Sequence, residues 1–499
     1  MIYIVIIAIL SFLLQVRYFT LPPFWDGISF IHHSMLMPEN KYSIYFSHFG
    51  HPPLFFWIFG IVFEIFGYSN LLFHLILFLF SVLVLIFSYL TCKLIFDKET
   101  AYISTIFLAL SPLFISTSIN PNLDLPSLAF ILMSFYFYIK GVFVLYAIFG
   151  TAAVMTKEIS ILWVLSVFFF HIMKNIKGIF HRNYRNIIQA FIVSLPIIVL
   201  IFWMIGNKIN FGWFLFPRNN PLLKLQFNEF EYQYFIKRVQ QIFLINFNWI
   251  FSIFILIYFI KILLTKMKIK TENEDLFFSF HSSLNYYLLI VVLFFLSYIV
   301  VVCPIKDFTL PRYAIILHPF LFMIGSYAIK NTLKDKKIVA SIVFLICVLS
   351  ILQQNNDIDP VMKKYYVYDK FTGSEMEYNL QFTCYVNSEI EGFNFLRGFL
   401  NDEKIVFDFW NPLHAIESSR YKNSFVNFGY NFDSSWNHIW VYDFLKKSPE
   451  EISKEEYFYF THKIGEPFNL IKNKCETEQI FYKNYKKCSI YIYKILNCH

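Results

Sequence analysis

The sequence predicts a mostly α-helical, polytopic membrane protein that carries a small α/β domain at its C-terminal end. First, 57% of the 499 residues are hydrophobic, 21% are aromatic and only 15% are charged, which exceeds what one soluble core accommodates. Second, apolar runs long enough to cross about 30 Å of hydrocarbon recur up to about residue 353. Third, the tail is rich in Lys, Glu, Asn and Tyr. We therefore divide the chain into a membrane domain, 1–353, and a second domain, 354–499.

The apolar runs predict about eleven transmembrane helices. They fall near residues 1–17, 70–92, 101–118, 124–139, 141–156, 159–173, 187–206, 247–264, 284–303, 313–329 and 338–353. An outer loop, 18–69, follows the first span. Within it, residues 52–67 are apolar but short for a span and begin with a proline pair, so we interpret them as a helix lying at the interface. The first run could instead be a cleaved signal peptide, but it lacks a basic start and a clear cleavage site.

The basic loops set the predicted orientation, because lysine and arginine are retained on the cytoplasmic side. Three such loops, within 174–185, 261–270 and 330–337, fall on one side of the predicted topology. The N-terminus is then cytoplasmic, the C-terminal domain is extracytoplasmic, and the protein belongs to the plasma (inner) membrane. The net charge of +8 follows from these loops and does not indicate a nucleic-acid partner.

The second domain reads as a small α/β fold. Strand-like segments occur at 404–409, 438–444 and 479–495, the last of which reads as a hairpin, and residues 388–400 read as a helix. Four of the seven cysteines lie here, and an even set in an oxidising compartment favours disulfides. We predict Cys475–Cys488 across the hairpin region, which leaves Cys384–Cys498 as the second pair. Free thiols are the alternative.

Two acids are the first candidates for chemistry on the outer side. Asp26 follows the stiff aromatic stretch "PPFW" and could act as a general base held at the interface, although Asp-Gly is also a common turn. Asp124, in "NPNLDLPSL", could simply cap the next helix. Because both acids fall on the same predicted side, together they could orient an acceptor or hold a metal.

Basic residues of the same side could bind a phosphate. Lys157 and Glu158 interrupt an apolar sequence at an outer helix turn, and Arg312 opens a later span. A lysine and an arginine at headgroup depth can grip the phosphate of a lipid carrier, or serve only as interfacial anchors. His51, at the start of the interfacial helix, could contact a phosphate or a metal, although a lone histidine is usually structural.

Taken in order, several segments resemble the GT-C fold glycosyltransferases. The segments are "PPFWDG", "HFGHPPLFFWIFGIVFEIFG", "NLDLPSLAF", "AIFGTAAVMTKEIS", "GWFLFP" and "PRYAIILHPF". More narrowly, they are similar to the branch that contains the protein O-mannosyltransferases and the lipid A aminoarabinose transferase. The resemblance covers about residues 1–353, and the tail is less specifically similar to the outer domain of many members.

The resemblance implies the reaction and the partners. A sugar carried on a polyprenyl phosphate is transferred outside the membrane to a glycan, lipid or protein hydroxyl, with inversion at the anomeric carbon. Asp26 matches the first-loop acid that takes the acceptor proton, and Asp124 matches the second outer-loop acid. His51, Lys157 and Arg312 would face the donor phosphate.

A further loop and the cofactor complete what the resemblance implies. The aromatic loop with Trp213 and Arg218 would close over the substrates. Gly27 departs from the pattern, because protein mannosyltransferases carry a glutamate after the first-loop aspartate. A divalent metal ion stays open, with His51 as the residue that could bind it. The alternative functions are a lipid-linked sugar flippase or other transporter, and, less well supported, a sensor.

Overall fold

A computed structural model of the protein describes two parts, a helical bundle and a small α/β domain. The described residues are 2–45, 50–214, 232–269, 283–304, 310–354, 356, 358–361, 380, 383–397, 404–407, 437–462, 466–485 and 488–499. The helices of the bundle are α1 (Ile2–Gln15), α2 (Asp26–Met35), α3 (Leu54–Phe66), α4 (Asn70–Ile95), α5 (Lys98–Leu110), α6 (Pro112–Ile119), α7 (Asp124–Ile139), α8 (Phe143–Thr156), α9 (Ile161–Phe180), α10 (Tyr184–Phe211), α11 (Tyr232–Phe243), α12 (Asn248–Ile269), α13 (Ser283–Val301), α14 (His318–Leu333) and α15 (Lys336–Gln353).

The bundle is that of an integral membrane protein. Among the described residues, five helices are long and apolar enough to span a membrane: 70–95, 158–180, 184–211, 245–264 and 336–353. The helices in the remaining predicted spans are shorter or broken. Predicted boundaries agree closely for α4, α7 and α15, where the apolar run ends at a polar residue or a cap; Ser69, for example, accepts a hydrogen bond from the amide of Leu72 at the start of α4.

The segment of the predicted span 101–118 is bent in the structure. The structure places α5 and α6 there with a bend of 56° between them. Pro112 is the first residue of α6, where its missing N–H is tolerated, but it cannot donate the hydrogen bond that would continue α5. The bend brings the chain into the loop that precedes Asp124.

An aromatic core fixes the helices that carry the candidate site. The ring of Trp163 on α9 packs edge-on against Phe135 of α7, with centroids 4.8 Å apart, and stacks on Phe320 of α14 at 5.5 Å. Its indole nitrogen donates to Ser134 Oγ at 2.9 Å, so the polar end of this buried ring is satisfied. The N-terminal end of α9 is thereby packed against the C-terminal half of α7.

The C-terminal domain is built on one five-stranded sheet. Its strands are β1 (Lys404–Phe407), β2 (Asn437–Trp440), β3 (Tyr457–Thr461), β4 (Cys475–Tyr485) and β5 (Cys488–Cys498), in the spatial order β2-β1-β3-β5-β4. Strand β1 pairs in parallel with β2 and β3, whereas β5 is antiparallel to both β3 and β4. Its helices are α16 (Thr383–Leu396), α17 (Val441–Phe444), α18 (Pro449–Ile452) and α19 (Glu466–Lys474). The predicted α/β fold, including the hairpin, is confirmed.

The predicted disulfide pairing is wrong. The structure bonds Cys475 to Cys498, which excludes both Cys475–Cys488 and Cys384–Cys498. The reason is the register of the hairpin, in which Cys475 opens β4 directly opposite the last residue of β5, while Cys488 faces Tyr485 at the turn. The side chains of Cys384 and Cys488 lie outside the described part of the structure.

Candidate active site

A chain of ion pairs joins four separate segments of the bundle. A terminal guanidinium nitrogen of Arg312 donates to Asp26 Oδ2, and Arg312 Nε lies 3.7 Å from Asp124 Oδ2. The other oxygen of Asp124 accepts from Lys157 Nζ at 2.5 Å. Four residues that the sequence analysis proposed independently are thus linked as Asp26–Arg312–Asp124–Lys157.

Helix ends position the two acids. Asp26 is the first residue of α2 and Asp124 is the first residue of α7. The unpaired amides at a helix N-terminus carry partial positive charge, which favours a carboxylate there. The two cations come from breaks in the helical structure: Lys157 follows the end of α8, and Arg312 lies in the 3-10 segment Pro311–Ile316. Irregular backbone at these points lets four segments converge.

The aromatic ring of Tyr313 supports both cations. Lys157 Nζ lies 4.0 Å from the ring centroid and Arg312 Cζ lies 5.6 Å from it. The backbone carbonyl of Tyr313 accepts a hydrogen bond of 2.7 Å from the hydroxyl of Tyr298 on α13. Ring faces attract cations, so Tyr313 holds the ammonium group beside Asp124.

A second pair lies directly beside this chain. His51 Nδ1 and Glu158 Oε2 are 3.0 Å apart, and Glu158 is the residue after Lys157. The ring of His51 also meets the edge of Phe30 on α2, with centroids 5.9 Å apart. Ser127 and Ser160 share a hydrogen bond of 2.5 Å between α7 and the turn that carries Glu158. His51 and Glu158 therefore belong to the same cluster as the two aspartates.

The two aspartates differ in their access to solvent. The side chain of Asp26 is 47% exposed, whereas those of Asp124, Lys157 and Arg312 are each 3% exposed. Both oxygens of Asp124 face cations, Oδ1 that of Lys157 and Oδ2 that of Arg312. Asp26 is thus the solvent-accessible carboxylate of the two, while Asp124 is buried against the two cations.

Close packing explains the glycine after Asp26. A Cβ atom at Gly27 would lie 2.5 Å from Asn120 Oδ1 and 3.0 Å from Pro121 Cδ, so the loop before α7 occupies the space of a side chain. Trp25, on the other side of Asp26, has a φ of 48°, a value that costs a non-glycine residue energy. A larger side chain has no room at position 27, and the strained residue Trp25 directly precedes the exposed acid.

Two buried cations were missed by the sequence analysis. Lys237 and Arg238 lie on α11, which packs against the 3-10 segment that carries Arg312. Arg238 donates to the carbonyl of Val302 and, like Asp124, interacts electrostatically with Tyr298. The available signal was the amphipathic pattern "YQYFIKRVQQIF", whose cations fall within one turn among apolar residues.

Within the described residues, the aromatic loop does not join the cluster. Trp213 stacks on Phe211 beyond α10 at 5.3 Å, and within the described residues its ring has no contact with the cluster. Arg218 lies outside the described residues.

Among the described residues, no group of three or more His, Cys, Asp or Glu side chains could hold a metal ion. Asp124 faces cations and His51 faces Glu158, so this donor set does not fit a metal, and we derive no step through one.

Comparison with known proteins agrees with this architecture. Residues 50–203 match the family model described as dolichyl-phosphate-mannose-protein mannosyltransferase. No curated protein sequence matches the chain. The chain is similar to the crystal structure of ArnT from Cupriavidus metallidurans bound to undecaprenyl phosphate, with a TM-score of 0.51, 12% identity, and coverage of 98% of this chain and 97% of that one. A zinc and sulfate complex of the Archaeoglobus fulgidus oligosaccharyltransferase gives 0.48, with 11% identity and coverage of 98% and 72%.

These similarities bear on the predicted resemblance. Identity of 12% over almost the whole length supports a shared fold and nothing finer. The matched segment 50–203 contains His51, Asp124, Lys157 and Glu158, which are four of the clustered residues. The protein therefore has the fold of the GT-C glycosyltransferases, and its residues 50–203 resemble the dolichyl-phosphate-mannose-protein mannosyltransferase family.

Proposed function

We propose that the protein transfers a sugar from a polyprenyl-phosphate donor to an acceptor hydroxyl, with inversion, on the extracytoplasmic side of the membrane. The observation that carries the proposal is the ion-pair chain Asp26–Arg312–Asp124–Lys157, in which one exposed carboxylate is joined to buried cations. Such a transfer requires a base that can reach the acceptor hydroxyl and cations that can stabilise the leaving phosphate.

Asp26 acts as the general base. Arg312 binds its Oδ2 oxygen, which leaves Oδ1 for the acceptor. The carboxylate removes the hydroxyl proton while the acceptor oxygen forms a bond to the anomeric carbon. The bond between that carbon and the phosphate oxygen breaks, and its electron pair leaves with the polyprenyl phosphate. Attack from the face opposite the leaving group inverts the anomeric centre.

The buried cations stabilise the leaving phosphate. Among the described residues, the ion pairs of the cluster contain three carboxylates, those of Asp26, Asp124 and Glu158, and two permanent cations, Lys157 and Arg312. An arriving phosphate would add negative charge, so further cations are required. Lys237 and Arg238 on the adjacent helix α11 supply them, and His51 contacts the donor phosphate. On this proposal, α11 completes the phosphate site.

The predicted topology completes the proposal. The N-terminus faces the cytoplasm, and the cluster and the α/β domain face outward in the plasma (inner) membrane. Trp213 and Arg218, in the aromatic loop after α10, close over the bound substrates. The acceptor is a glycan, lipid or protein, and the pocket, rather than the ion-pair chain, selects it.

A donor labelled in its sugar distinguishes sugar transfer from transport of the intact lipid-linked sugar. Purified protein in proteoliposomes is given synthetic polyprenyl-phosphate hexoses and pentoses, labelled in the sugar, together with a cell-envelope extract as the source of acceptors. We expect labelled sugar to leave the lipid-soluble donor, and bare polyprenyl phosphate to accumulate in equal amount. Movement of intact donor across the bilayer with no new covalent product would identify a flippase and contradict the proposal. Asp443→Asn, which changes an exposed acid paired with Lys446, is the matched control.

A further inference from the structure

A buried polar network joins the interdomain linker, by which we mean the described residues within 354–361, to the turn that follows α11, the helix that carries Lys237 and Arg238. It is centred on Asp359, whose side chain is fully buried just after the last helix of the bundle. Asp359 Oδ2 accepts from the backbone amide of Phe247 at 2.7 Å, and Oδ1 accepts from the amide of Val361 at 2.9 Å. One carboxylate therefore joins the interdomain linker to the turn between α11 and α12.

That turn is backbone-strained. Asn246 and Phe247 have φ angles of 53° and 66°, the left-handed region that non-glycine residues enter at a cost. Two consecutive residues of this kind persist only where their surroundings hold them. The hydrogen bond from Phe247 to Asp359 is such a restraint, and it acts on the residues that directly follow α11.

Glutamines at the end of α15 extend the network. Gln353 Oε1 accepts from the amides of Ile358 and Asp359 at 2.9 and 3.0 Å, and its Nε2 donates to Asn246 at 3.4 Å. Gln354 Nε2 donates to the carbonyl of Leu110 at 2.9 Å, at the bend between α5 and α6. The linker is thus tied to the α11–α12 turn and to the bend that leads towards Asp124.

We propose that Asp359 is a positioning residue for the phosphate site, an inference that rests on the proposed function. It acts through α11: by holding the strained turn at residues 246–247, it keeps Arg238 against Val302 and beside the segment of Arg312. Asp359 itself touches no substrate.

Hydrogen exchange tests, without a measurement of activity, whether Asp359 stabilises α11 through the turn at residues 246–247; we call this restraint the brace. In the full-length protein, Asp359→Ala removes both acceptor oxygens and leaves the buried Phe247 amide unsatisfied. We expect amides of α11 to exchange about tenfold faster, which corresponds to about 1.4 kcal/mol. Asp359→Asn retains one acceptor oxygen, so its effect is smaller. Unchanged exchange of α11 in Asp359→Ala, compared with the Asp443→Asn control, would overturn the brace.

A double-mutant cycle tests the connection to the phosphate site, with bare polyprenyl phosphate as the probe. Arg238→Gln removes the charge but keeps an amide donor for Val302. Asp359→Ala should weaken binding about tenfold alone, yet less than twofold further in the Arg238→Gln background. Independent effects of the two changes would overturn the inference. If Arg238→Gln alone leaves binding intact, the proposed phosphate site is wrong, and the exchange measurement still decides the brace.

Discussion

Arg312 bonds to Asp26 across 286 positions of sequence, joining the start of α2 to the 3-10 segment Pro311–Ile316. The same guanidinium reaches Asp124, so one planar side chain serves two carboxylates from different helices. Its side chain is 3% exposed and that of Asp26 is 47% exposed, so the cation is buried and the carboxylate that we propose as the base is accessible to solvent. This arrangement orients the carboxylate before an acceptor arrives.

Replacing Arg312 with lysine tests whether this geometry matters beyond charge. Lysine keeps the charge but cannot present several donors in one plane to Asp26 and Asp124. We expect Arg312→Lys to lower kcat of sugar transfer about 100-fold, within the range for loss of a preorganised electrostatic contact. Arg17→Lys, which alters an exposed arginine lying over Tyr18, is the matched control. Equal loss in both variants, or none in either, would refute the geometric role.

The contact between Gly27 and Asn120 predicts intolerance to even one methyl group. In Gly27→Ala the new Cβ would overlap Asn120 Oδ1, pushing apart the ends of α2 and α7. Overpacking of this kind costs about 1–3 kcal/mol, and we expect kcat to fall as Asp26 moves. Asn120→Ala in the same chain should restore part of the activity by vacating the space. Thermal unfolding and initial rates measure both; a Gly27→Ala enzyme that matches the wild type would contradict the packing argument.

In the α/β domain, a buried acid predicts a dependence of stability on pH. Glu389 Oε1 and His462 Nε2 form a hydrogen bond of 3.1 Å. Burial raises the pKa of Glu389 above its ordinary value of 4.5, and the contact with His462 opposes this shift. The folded state then holds the proton more tightly than the unfolded state does. The stability it contributes is complete below pH 4.5 and is lost as the pH rises through the raised pKa.

Glu389→Gln removes this titration while keeping a polar amide. Relative to the wild type, the variant should therefore gain stability as the pH rises from 4.5 towards neutrality. Hydrogen exchange of the α/β domain in the full-length protein, measured at several pH values across that interval, gives the difference in stability between the variant and the wild type. A difference that stays constant with pH would show that Glu389 does not titrate as described.

The hairpin disulfide predicts a specific cross-linked peptide. Non-reducing digestion should yield a fragment joining Cys475 to Cys498, and no fragment joining Cys475 to Cys488. Cys475→Ser should destabilise the α/β domain by roughly 3 kcal/mol, because the closed loop then gains freedom in the unfolded chain. Mass spectrometry and thermal unfolding check the two statements. Recovery of the Cys475–Cys488 fragment would contradict the register of β4 and β5.

Some features could be read from the sequence because their signals are local. Apolar runs locate the helices, and the polar interruptions at Asp26, Asp124 and Lys157 identified groups that the structure brings together. The disulfide could not be read, since the register of β4 and β5 shifts twice along the hairpin. The reason for Gly27 was equally hidden, because it depends on Asn120, which is distant in sequence. Arg238 was not predicted, because it lies on an amphipathic helix, whereas transmembrane spans are recognised in a sequence by long apolar runs.

Asp26→Asn tests the central claim most directly. The substitution keeps the size of the side chain and an oxygen for Arg312, but an amide does not accept the proton of an acceptor hydroxyl. Transfer of labelled sugar from the polyprenyl-phosphate donor should fall by about 10²–10⁴-fold, while the affinity for bare polyprenyl phosphate stays within twofold of the wild type. Undiminished transfer by Asp26→Asn, with the protein folded, would contradict the assignment of this carboxylate as the base.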